Sequence, residues 1–495
     1  MALFDWLSTR IAGVLLHPTC FPGDQGIGTF DRQAERLLDF LQAAGISTWQ
    51  ICPLGPTGYG DSPYQCFSSF AGNPYLIDLH DLADRGFLAA ADLAPLRELP
   101  IDRVDFGALY RLKWPLLRRA YQNYLHAGEP ALGAEGYAAF KVRQAGWLED
   151  YAYFQALKDH HGGRPWTEWP DETRRFATAR RAPLRTRLKA AIDAQQFFQY
   201  VFFSQWSRVR AAAARRGIAI IGDIPIFTAA DSADVWSRPD LFELDPATGQ
   251  PTAVAGVPPD YFSADGYAWW HQRLAASFEL CDILRVDHFR GFDEYWRIPW
   301  PATTARVGQW LPGPGIDFFR SVRARFPEAK IIAEDLGVLT SSVTQLRDEA
   351  GLPGMAVLQF AFDDTAANPY LPHNLVPNSV VYPGTHDNDT ALGWYAAAGE
   401  KSRNYARQYL RVKGDEIGWD LIRAAYAAVS RLSVVPLQDI LSLGTAARFN
   451  SPGRPVGNWQ WRYRDDQMDA LFGGTAGYLR QLAELYGRSA AAPTA

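Results

Sequence analysis

Cysteine is scarce in this 495-residue chain, which has only Cys20, Cys52, Cys66 and Cys281. Their spacing matches neither a CxxC pair nor a dense disulfide framework, so it predicts reduced thiols, a cytoplasmic location and no zinc site. Long apolar runs are also lacking, because no uninterrupted stretch approaches the roughly 18 residues that a membrane span requires. The apolar run 11–16 is too short for a signal peptide and has no cleavage site behind it, so we interpret it as a first strand.

An excess of charge of either sign is lacking as well. The chain has 49 Lys and Arg against 54 Asp and Glu, which gives a net charge of −5 with both signs interspersed. This pattern offers neither a basic patch large enough for nucleic acid nor an acidic tail. With 47% hydrophobic and 14% aromatic residues, the composition is typical of a well-packed soluble globular protein. We therefore expect neutral or weakly charged partners, with no nucleic acid and no membrane.

Short apolar runs typical of buried strands recur along the sequence, and segments with helical spacing of apolar residues separate most of them. The eight runs are 13–16, 49–54, 218–226, 283–289, 331–336, 356–362, 380–382 and 434–437. Eight strands alternating with helices predict an α/β fold, a (β/α)8 TIM barrel, although one doubly wound sheet or two smaller domains would give a similar linear pattern. The barrel is favoured because acidic residues follow several different strands, where such barrels build their sites.

The interval between the second and third strand-like runs is far too long for a single crossover. Much of it has helical character, with Trp147, Tyr151 and Phe154 at near-helical spacing. We interpret residues 87–200 as a mostly helical insertion on the barrel face. The predicted organisation is a single catalytic barrel over 1–495 with this insertion as a subdomain.

Three of the apolar runs lead into carboxylates, namely Asp287, Glu334 and Asp387. A charge placed where a buried parallel strand emerges has left the core and can meet a substrate. Arg285 and Asp287 share one strand face, so the guanidinium would hold the aspartate ionised, as a nucleophile requires. The alternative interpretation is a structural ion pair that caps the strand.

The other two carboxylates suit different tasks. Glu334 ends an apolar strand, where desolvation would raise its pKa and let it carry a proton as a general acid, although a glutamate at a strand end is often a solvated loop charge. His386 and Asp387 follow a Pro-Gly turn and offer hydrogen bonds to sugar hydroxyls, or else belong to an Asx-rich turn. Two carboxylates with opposed pKa requirements and a third polar group are typical of glycosidic-bond chemistry.

Aromatic residues in the predicted loops suit a polyol substrate, because sugar rings stack on aromatic faces. They are Tyr59, Tyr64, Tyr261, Phe262, Trp459 and Trp461. The alternative for many of them is ordinary packing beneath the loops. The glycine cluster at 55–60 lacks the Lys-Ser/Thr of a P-loop and the glycine order of a dinucleotide site. Since the acid, the nucleophile and the stabilising group are all side chains, we expect no metal and no organic cofactor.

Several longer motifs carry a family resemblance. They lie at 55–64, 68–79 (SSFAGNPYLIDL), 222–226, 256–263, 285–292 (RVDHFRGF), 333–337 (AEDLG), 384–390 (GTHDNDT) and 450–462 (NSPGRPVGNWQWR). Together they resemble the amylomaltases, the 4-α-glucanotransferases related to the α-amylases, and the likeness runs nearly from end to end. The resemblance implies that Asp287 is the nucleophile, Glu334 the general acid/base and Asp387 the residue that grips hydroxyls of the donor sugar.

The resemblance also implies a set of substrate-binding residues around these carboxylates. They are Arg285, His386, Tyr59, Asp223, Tyr261, Phe262, Asn458 and Trp459. Within this set, Asp223 would organise the floor of the site and Tyr59 would provide a donor-side platform.

The predicted function is that of a 4-α-glucanotransferase, which moves α-1,4-glucan segments between maltooligosaccharides by a retaining double displacement. An α-glucan hydrolase with the same carboxylates and a non-catalytic glucan-binding protein are the alternatives. The sequence departs from the resembled pattern after Ser263, where a substantial stretch is missing before Asp265. Because that stretch helps to cover the acceptor side in the family, we expect more hydrolysis than in intact relatives.

Overall fold

Eight parallel strands form the central sheet of the computed structural model, which describes residues 3–254, 265–302, 304, 306–337, 339–363 and 365–489, apart from the Tyr59 side chain. The strands of the molecule in chain order are β1 (Ile11–Leu15), β2 (Thr48–Gln50), β3 (Ala219–Ile224), β4 (Ala253–Val254), β5 (Ile283–Val286), β6 (Glu294–Pro299), β7 (Gln309–Pro312), β8 (Ile331–Ala333), β9 (Gly354–Val357), β10 (Ser379–Tyr382) and β11 (Leu432–Pro436). The parallel sheet has the order β8-β5-β3-β2-β1-β11-β10-β9. Its two ends meet where the Ala333 N–H donates to the Pro353 carbonyl at 3.0 Å. The predicted (β/α)8 barrel is confirmed.

The barrel strands are buried on both faces, as parallel strands covered by helices must be. In β3 and β5, Ile221 and Ile283 pack with other inward residues, whereas Leu284 packs in the outer layer with the helices. Successive side chains alternate between faces, so Arg285 points inward like Ile283. Asp223 pairs in register with Arg285. The inner face therefore changes from apolar to charged toward the carboxyl ends of these strands.

The helices surround the barrel and fill the long connection between β2 and β3. They are α1 (Arg32–Ala43), α2 (Leu79–Asp84), α3 (Phe106–His126), α4 (Tyr137–Arg143), α5 (Leu148–His160), α6 (Asp171–Arg174), α7 (Phe176–Ala179), α8 (Pro183–Arg187), α9 (Lys189–Arg215), α10 (Ala233–Ser237), α11 (Ala268–Leu280), α12 (Gly315–Arg325), α13 (Ser341–Ala350), α14 (Ala391–Ala397), α15 (Glu400–Leu410), α16 (Ile417–Ala427), α17 (Leu437–Ile440), α18 (Asp465–Ala470) and α19 (Ala476–Leu485). Helix α9 continues past the predicted insertion boundary at 200. The division into one barrel domain with an insertion over 87–200 stays a prediction. Over the described part of the chain, none of these helices combines the length and apolarity that a membrane crossing needs.

Buried polar side chains attach helices α3 and α9 to the segment that follows β2. Lys113 of α3 is fully buried and donates to the Tyr75 and Ile77 carbonyls at 2.7 and 2.8 Å. Gln199 of α9 accepts the Gly72 N–H at 2.7 Å and donates to the Gly72 carbonyl at 2.9 Å. Because a buried polar group is costly to leave unpaired, these bonds fix the segment against the helices.

A small antiparallel sheet of β4, β6 and β7 lies outside the barrel order. The sequence pattern did not predict it, because β4 has only two residues and β7 is half-buried or exposed along its length. In the chain, β4 precedes β5, whereas β6 and β7 follow it. Trp296 and Trp310 pack across β6 and β7 with ring centroids 5.2 Å apart.

Candidate active site

Arg285 is the buried centre of the site. Its side chain is 3% exposed, and its Nη1 donates to Asp223 Oδ2 at 2.6 Å and to Asp287 Oδ1 at 3.0 Å. Burial acts to lower the pKa of the guanidinium, but the two carboxylates outweigh it and raise that pKa well above its ordinary value. Arg285 is therefore a permanent cation. Asp287, at 29% exposure, is the partner that reaches solvent.

Asp223 forms the floor beneath this cation. Burial raises the pKa of its carboxyl to about 6, although Arg285 acts in the opposite direction. The Tyr64 hydroxyl donates to Asp223 Oδ2 at 2.7 Å. Among the described residues, Asp223 Oδ1 has no hydrogen-bond partner. The floor is thus a buried carboxylate held by one guanidinium and one phenol.

Glu334 directly follows β8, and its carboxylate reaches the turn that follows β5. Oε2 accepts the His288 N–H at 2.6 Å, and Oε1 accepts the Leu336 N–H at 3.2 Å. His288 has a φ of 51°, a left-handed conformation that is uncommon for a residue with a side chain. Burial, opposed by Arg285 and aided by Asp287, raises the pKa of Glu334 to about 8. This carboxyl group therefore carries a proton at neutral pH. It bonds the backbone of His288, the residue that directly follows Asp287.

Asp387 follows β10 and is held by its neighbour His386 and by one later loop, which contains Arg448 and Asn450. Its Oδ1 accepts from Asn450 Nδ2 at 2.6 Å, its main-chain carbonyl accepts from Arg448 Nη2 at 2.7 Å, and its Oδ2 lies 3.4 Å from His386 Nε2. Burial acts to raise the pKa of Asp387, but His386, Asn450 and Arg285 outweigh it and hold that pKa well below its ordinary value. Asp387 is therefore an ionised acceptor at neutral pH.

Three aromatic rings pack together beside these carboxylates. The Tyr64 and His386 rings are parallel within 18° at a centroid distance of 4.9 Å. Trp459 lies 5.8 Å from each of them by ring centroid. Because Trp459 is only 5% exposed, protein covers most of its ring. These ring contacts link the loops that follow β2, β10 and β11.

The structure describes the side chain of Asn458 and the backbone of Tyr59, but not the other predicted binding residues Tyr261 and Phe262. Asn458 uses its side chain within its own loop, accepting the Ser451 N–H at 2.9 Å and donating to the Arg454 carbonyl at 2.8 Å. Tyr59 begins a short 3-10 helix, Tyr59–Asp61. Tyr261, Phe262 and the shortened stretch after Ser263 lie outside the described residues.

Sequence reasoning missed two residues of this site and undervalued a third. Arg448 and Asn450 hold Asp387 but come 61 and 63 residues later in the chain. Asn450 is the first residue of the motif NSPGRPVGNWQWR, and this motif is the sequence signal that could identify it. Arg448 lies outside the motif and has no such signal. The sequence indicates Tyr64 only as a loop aromatic, whereas in the structure its hydroxyl contacts Asp223. Over the described ranges, no three or more His, Cys, Asp or Glu side chains are grouped to hold a metal ion.

A (β/α)8 barrel whose strands end in protonated and ionised carboxyl groups defines a class of enzyme that acts on glycosidic bonds. A family model described as 4-alpha-glucanotransferase matches residues 16–468. The chain belongs to the 4-α-glucanotransferase family. The predictions of this family and of a glycosyl-transferring enzyme that acts on α-1,4-glucans are confirmed.

Individual relatives match along nearly the whole chain. The 4-alpha-glucanotransferase of Thermus thermophilus is 47% identical over 500 residues, covering 96% of this chain and 98% of the relative. That of Synechocystis sp. is 44% identical over 502 residues, covering 97% and 99%. Among solved structures, the amylomaltase from Streptococcus agalactiae in complex with acarbose aligns with a TM-score of 0.91 at 34% identity, covering 97% of this chain and 100% of that one.

Proposed function

We propose that Asp287, Glu334 and Asp387 carry out a retaining transfer of α-1,4-glucan segments between maltooligosaccharides. The observation that carries this proposal is a contrast between two neighbouring carboxyl groups. Asp287 is ion-paired with a permanent cation, whereas Glu334 has a pKa of about 8 and bonds the backbone of the residue after Asp287. A double displacement requires such a pair, one to attack and one to donate a proton.

In the first step, Asp287 attacks the anomeric carbon while Glu334 gives its proton to the oxygen of the leaving chain. The carboxylate–carbon bond forms as the glycosidic carbon–oxygen bond breaks, and the released chain leaves with the proton. Asp387 accepts hydrogen bonds from hydroxyls of the donor sugar, and these bonds stabilise the distorted ring of the transition state.

In the second step, Glu334 acts as the base. The covalent bond neutralises Asp287, which is one of the groups that raise the pKa of Glu334, so that pKa falls once the intermediate has formed. Glu334 then takes the proton of the acceptor 4-hydroxyl, and the acceptor oxygen displaces Asp287 with the original configuration. Transfer exceeds hydrolysis only if a sugar reaches the intermediate before water does. Tyr261 and Phe262 would exclude water here, and the shortened stretch after Ser263 would admit more of it.

The other predicted residues take supporting roles in this proposal. Arg285 and His386 contact the donor sugar, and Asp223 holds Arg285 from below. The residues that complete the binding surface are Tyr59, Asn458 and Trp459. The ion pair of Arg285 and the polar and ring contacts of His386 support their part, because they fix both side chains beside Asp287 and Asp387.

We also propose that the substrates are α-1,4-glucans and maltooligosaccharides rather than nucleic acid, and that the enzyme works in the cytoplasm as a single barrel with an insertion over 87–200. The interspersed charge supports the first point. The four cysteines are free thiols, which supports a reducing compartment. The continuous series of helices α3 to α9 supports the insertion.

The test is the product pattern from maltotriose. We expect glucose together with maltooligosaccharides longer than the substrate, and a larger share of hydrolysis products than the Thermus thermophilus relative gives under the same conditions. Chromatography separates these products. Glucose and maltose without any longer chain would reject transfer and favour the hydrolase alternative.

A variant separates an enzyme from a glucan-binding protein. Asp287→Asn should lower turnover of maltotriose by at least ~10³-fold while leaving glucan binding in place. Asp317→Asn is the control, because Asp317 is 74% exposed on helix α12. Turnover that is unchanged in Asp287→Asn would contradict the proposed mechanism.

A further inference from the structure

Met355 lies in the inner layer of the barrel and contacts Arg285. It is the second residue of β9, is only 6% exposed, and belongs to the same inner cluster as Ile332. The Arg285 Nε–H donates to its sulfur, with an N–S distance of 3.4 Å. Strand β8 lies between β5 and β9, and Ile332 of β8 pairs in register with Arg285. The guanidinium therefore reaches across one strand to meet the thioether.

The backbone of Met355 is held by the segment that carries the proposed acid. Its N–H donates to Asp335 Oδ1 at 2.7 Å, and Asp335 directly follows Glu334. Asp335 is itself buried, and its Oδ2 accepts from Arg347 Nη1 at 2.6 Å. Because Asp335 is fixed in this way, the main chain of Met355 has a defined position. Met355 thus connects the segment of Glu334 to the side chain of Arg285.

The contact with sulfur limits how the Arg285 side chain can rotate. A guanidinium is planar and has its N–H donors in a rigid fork, so an acceptor for Nε fixes the plane of the whole group. Nη1 of the same group donates to Asp223 at 2.6 Å and to Asp287 at 3.0 Å. With Nε bonded to Met355 and Nη1 to two carboxylates, the guanidinium is held at both ends of the fork.

A thioether suits this position because it is uncharged and accepts only weakly. A carboxylate in its place would attract the cation away from Asp287. An alkyl side chain would offer no acceptor, and a buried N–H without an acceptor is costly. The sulfur of Met355 therefore satisfies Nε while the charge of Arg285 remains with Asp223 and Asp287.

We propose that Met355 is a positioning residue for the transfer reaction, and that its sulfur holds the Arg285 guanidinium in the orientation that supports Asp287. The inference rests on the proposed function, in which Asp287 attacks the sugar beside Arg285. As a residue of the inner layer, Met355 acts on the reaction through Arg285. Loss of the sulfur should therefore slow the chemical step more than it weakens substrate binding.

The first experiment replaces the sulfur by a methylene group of nearly the same shape. The sequence has three methionines, Met1, Met355 and Met468, so production with norleucine in place of methionine changes few positions. We expect kcat for maltotriose to fall about tenfold, the loss of one hydrogen bond to a charged group, with KM within about twofold. Selenomethionine keeps a weak acceptor and should leave kcat within about twofold of the parent. An unchanged kcat in the norleucine protein would overturn the inference.

Two variants assign the effect to one methionine. Met355→Leu should show the same fall in kcat, and production of this variant with norleucine, which changes only Met1 and Met468, should add nothing. Met468→Leu is the matched control, because Met468 is fully buried in helix α18 and belongs to a different core cluster. It should leave kcat within about twofold. Thermal melting measures the stability of both variants. Equal kcat at an equal loss of stability would show that Met355 only packs the core.

Asp287→Asn, measured in the same assay, separates this inference from the proposed function. A parental kcat in the norleucine protein, with turnover lost in Asp287→Asn, would reject only the role of Met355. Retained turnover in Asp287→Asn would reject the mechanism itself. Both comparisons use the total release of glucose from maltotriose, so they hold whether transfer or hydrolysis dominates.

Discussion

At the scale of the residue, neighbours decide what each carboxyl group can do. Asp387 is surrounded by His386 and the Asn450 amide, and its pKa is held low. Among the described residues, the hydrogen-bond donors to Glu334 are backbone N–H groups, and burial raises its pKa to about 8. Because the same chemical group is set to opposite states within one site, an acid and an ionised acceptor coexist at neutral pH.

The pKa of Glu334 predicts the alkaline limit of the reaction. The first step needs its protonated form, and the proton is lost as the pH rises through about 8. We expect kcat/KM for maltotriose to fall about tenfold per pH unit above that point. Initial rates from pH 6 to 10 measure this, with circular dichroism as a check on folding. The side chain of Gln in the variant Glu334→Gln cannot lose a proton. The same fall of kcat/KM above pH 8 in this variant would therefore contradict the assignment of that fall to Glu334.

The hydrogen bond from Asn450 lets us predict how much the function of Asp387 depends on a residue outside its own loop. Asn450→Ala removes a 2.6 Å hydrogen bond to Asp387 Oδ1, which frees the carboxylate and raises its pKa. We expect kcat/KM to fall about tenfold. The loss should appear in kcat, because contacts with Asp387 strengthen in the transition state. Asn450→Asp should cost more, since it places a like charge there.

Asn404 provides the control for this experiment. It is exposed on helix α15, and its side chain contacts Arg407 rather than the site. Asn404→Ala should leave kcat/KM within about twofold. A loss in Asn450→Ala that is confined to KM would show that Asn450 binds substrate and does not position Asp387.

At the scale of the element, the barrel strands were predictable and the antiparallel sheet was not. A buried parallel strand is a short apolar run between polar helices, and this contrast is visible in the sequence. Strands β4 and β7 have no such contrast, because one is two residues long and the other is largely uncovered. The residues of the site also divide into predictable and unpredictable ones. Its carboxylates follow the predicted strands, whereas Asn450 reaches Asp387 only through the folding of a later loop.

Asp439 links two elements near the site. It lies in helix α17, and its Oδ1 accepts the Ala391 N–H at the start of α14 at 2.7 Å. Among the described residues its Oδ2 has no partner. Burial raises the pKa of Asp439 to about 7, against roughly 3.9 in an unfolded chain. The folded state therefore binds the proton more tightly, and stability falls as the pH rises from about 4 to about 7.

Asp439→Asn should remove this pH dependence, because the amide keeps the acceptor oxygen and cannot ionise. We expect the variant to be about 1–2 kcal/mol more stable than the parent at pH 8 and no more stable near pH 4. Thermal melting at several pH values measures the difference. Asp415→Asn, at an exposed position, is the control. A stabilisation of the same size at every pH would show that ionisation of Asp439 is not its cause.

At the scale of the whole molecule, the two ends of the described chain meet beside β1. Arg10 precedes β1 and donates to the Tyr426, Ala428 and Tyr486 carbonyls at 2.8 to 2.9 Å. Arg488 follows α19 and is fully buried. It donates at 2.7 to 3.3 Å to the carbonyls of Ile11, Ala425, Tyr426, Ala428, Ser430 and Arg431. One guanidinium thus joins the first strand, the approach to the last strand and the C-terminal helix.

Arg488→Met should therefore destabilise the whole barrel. The substitution keeps the apolar stem but leaves several buried carbonyls without a donor, and we expect a loss of about 3–5 kcal/mol. Arg488→Lys should lose less, because the ammonium can donate three of these bonds. Arg464→Met is the control, since Arg464 is 45% exposed and pairs with Asp466, and it should change stability by less than about 0.5 kcal/mol. Thermal melting measures the stability of each variant, and activity on maltotriose at 25 °C is a second readout. A melting temperature of Arg488→Met equal to that of Arg464→Met would show that the closure of the barrel does not depend on this residue.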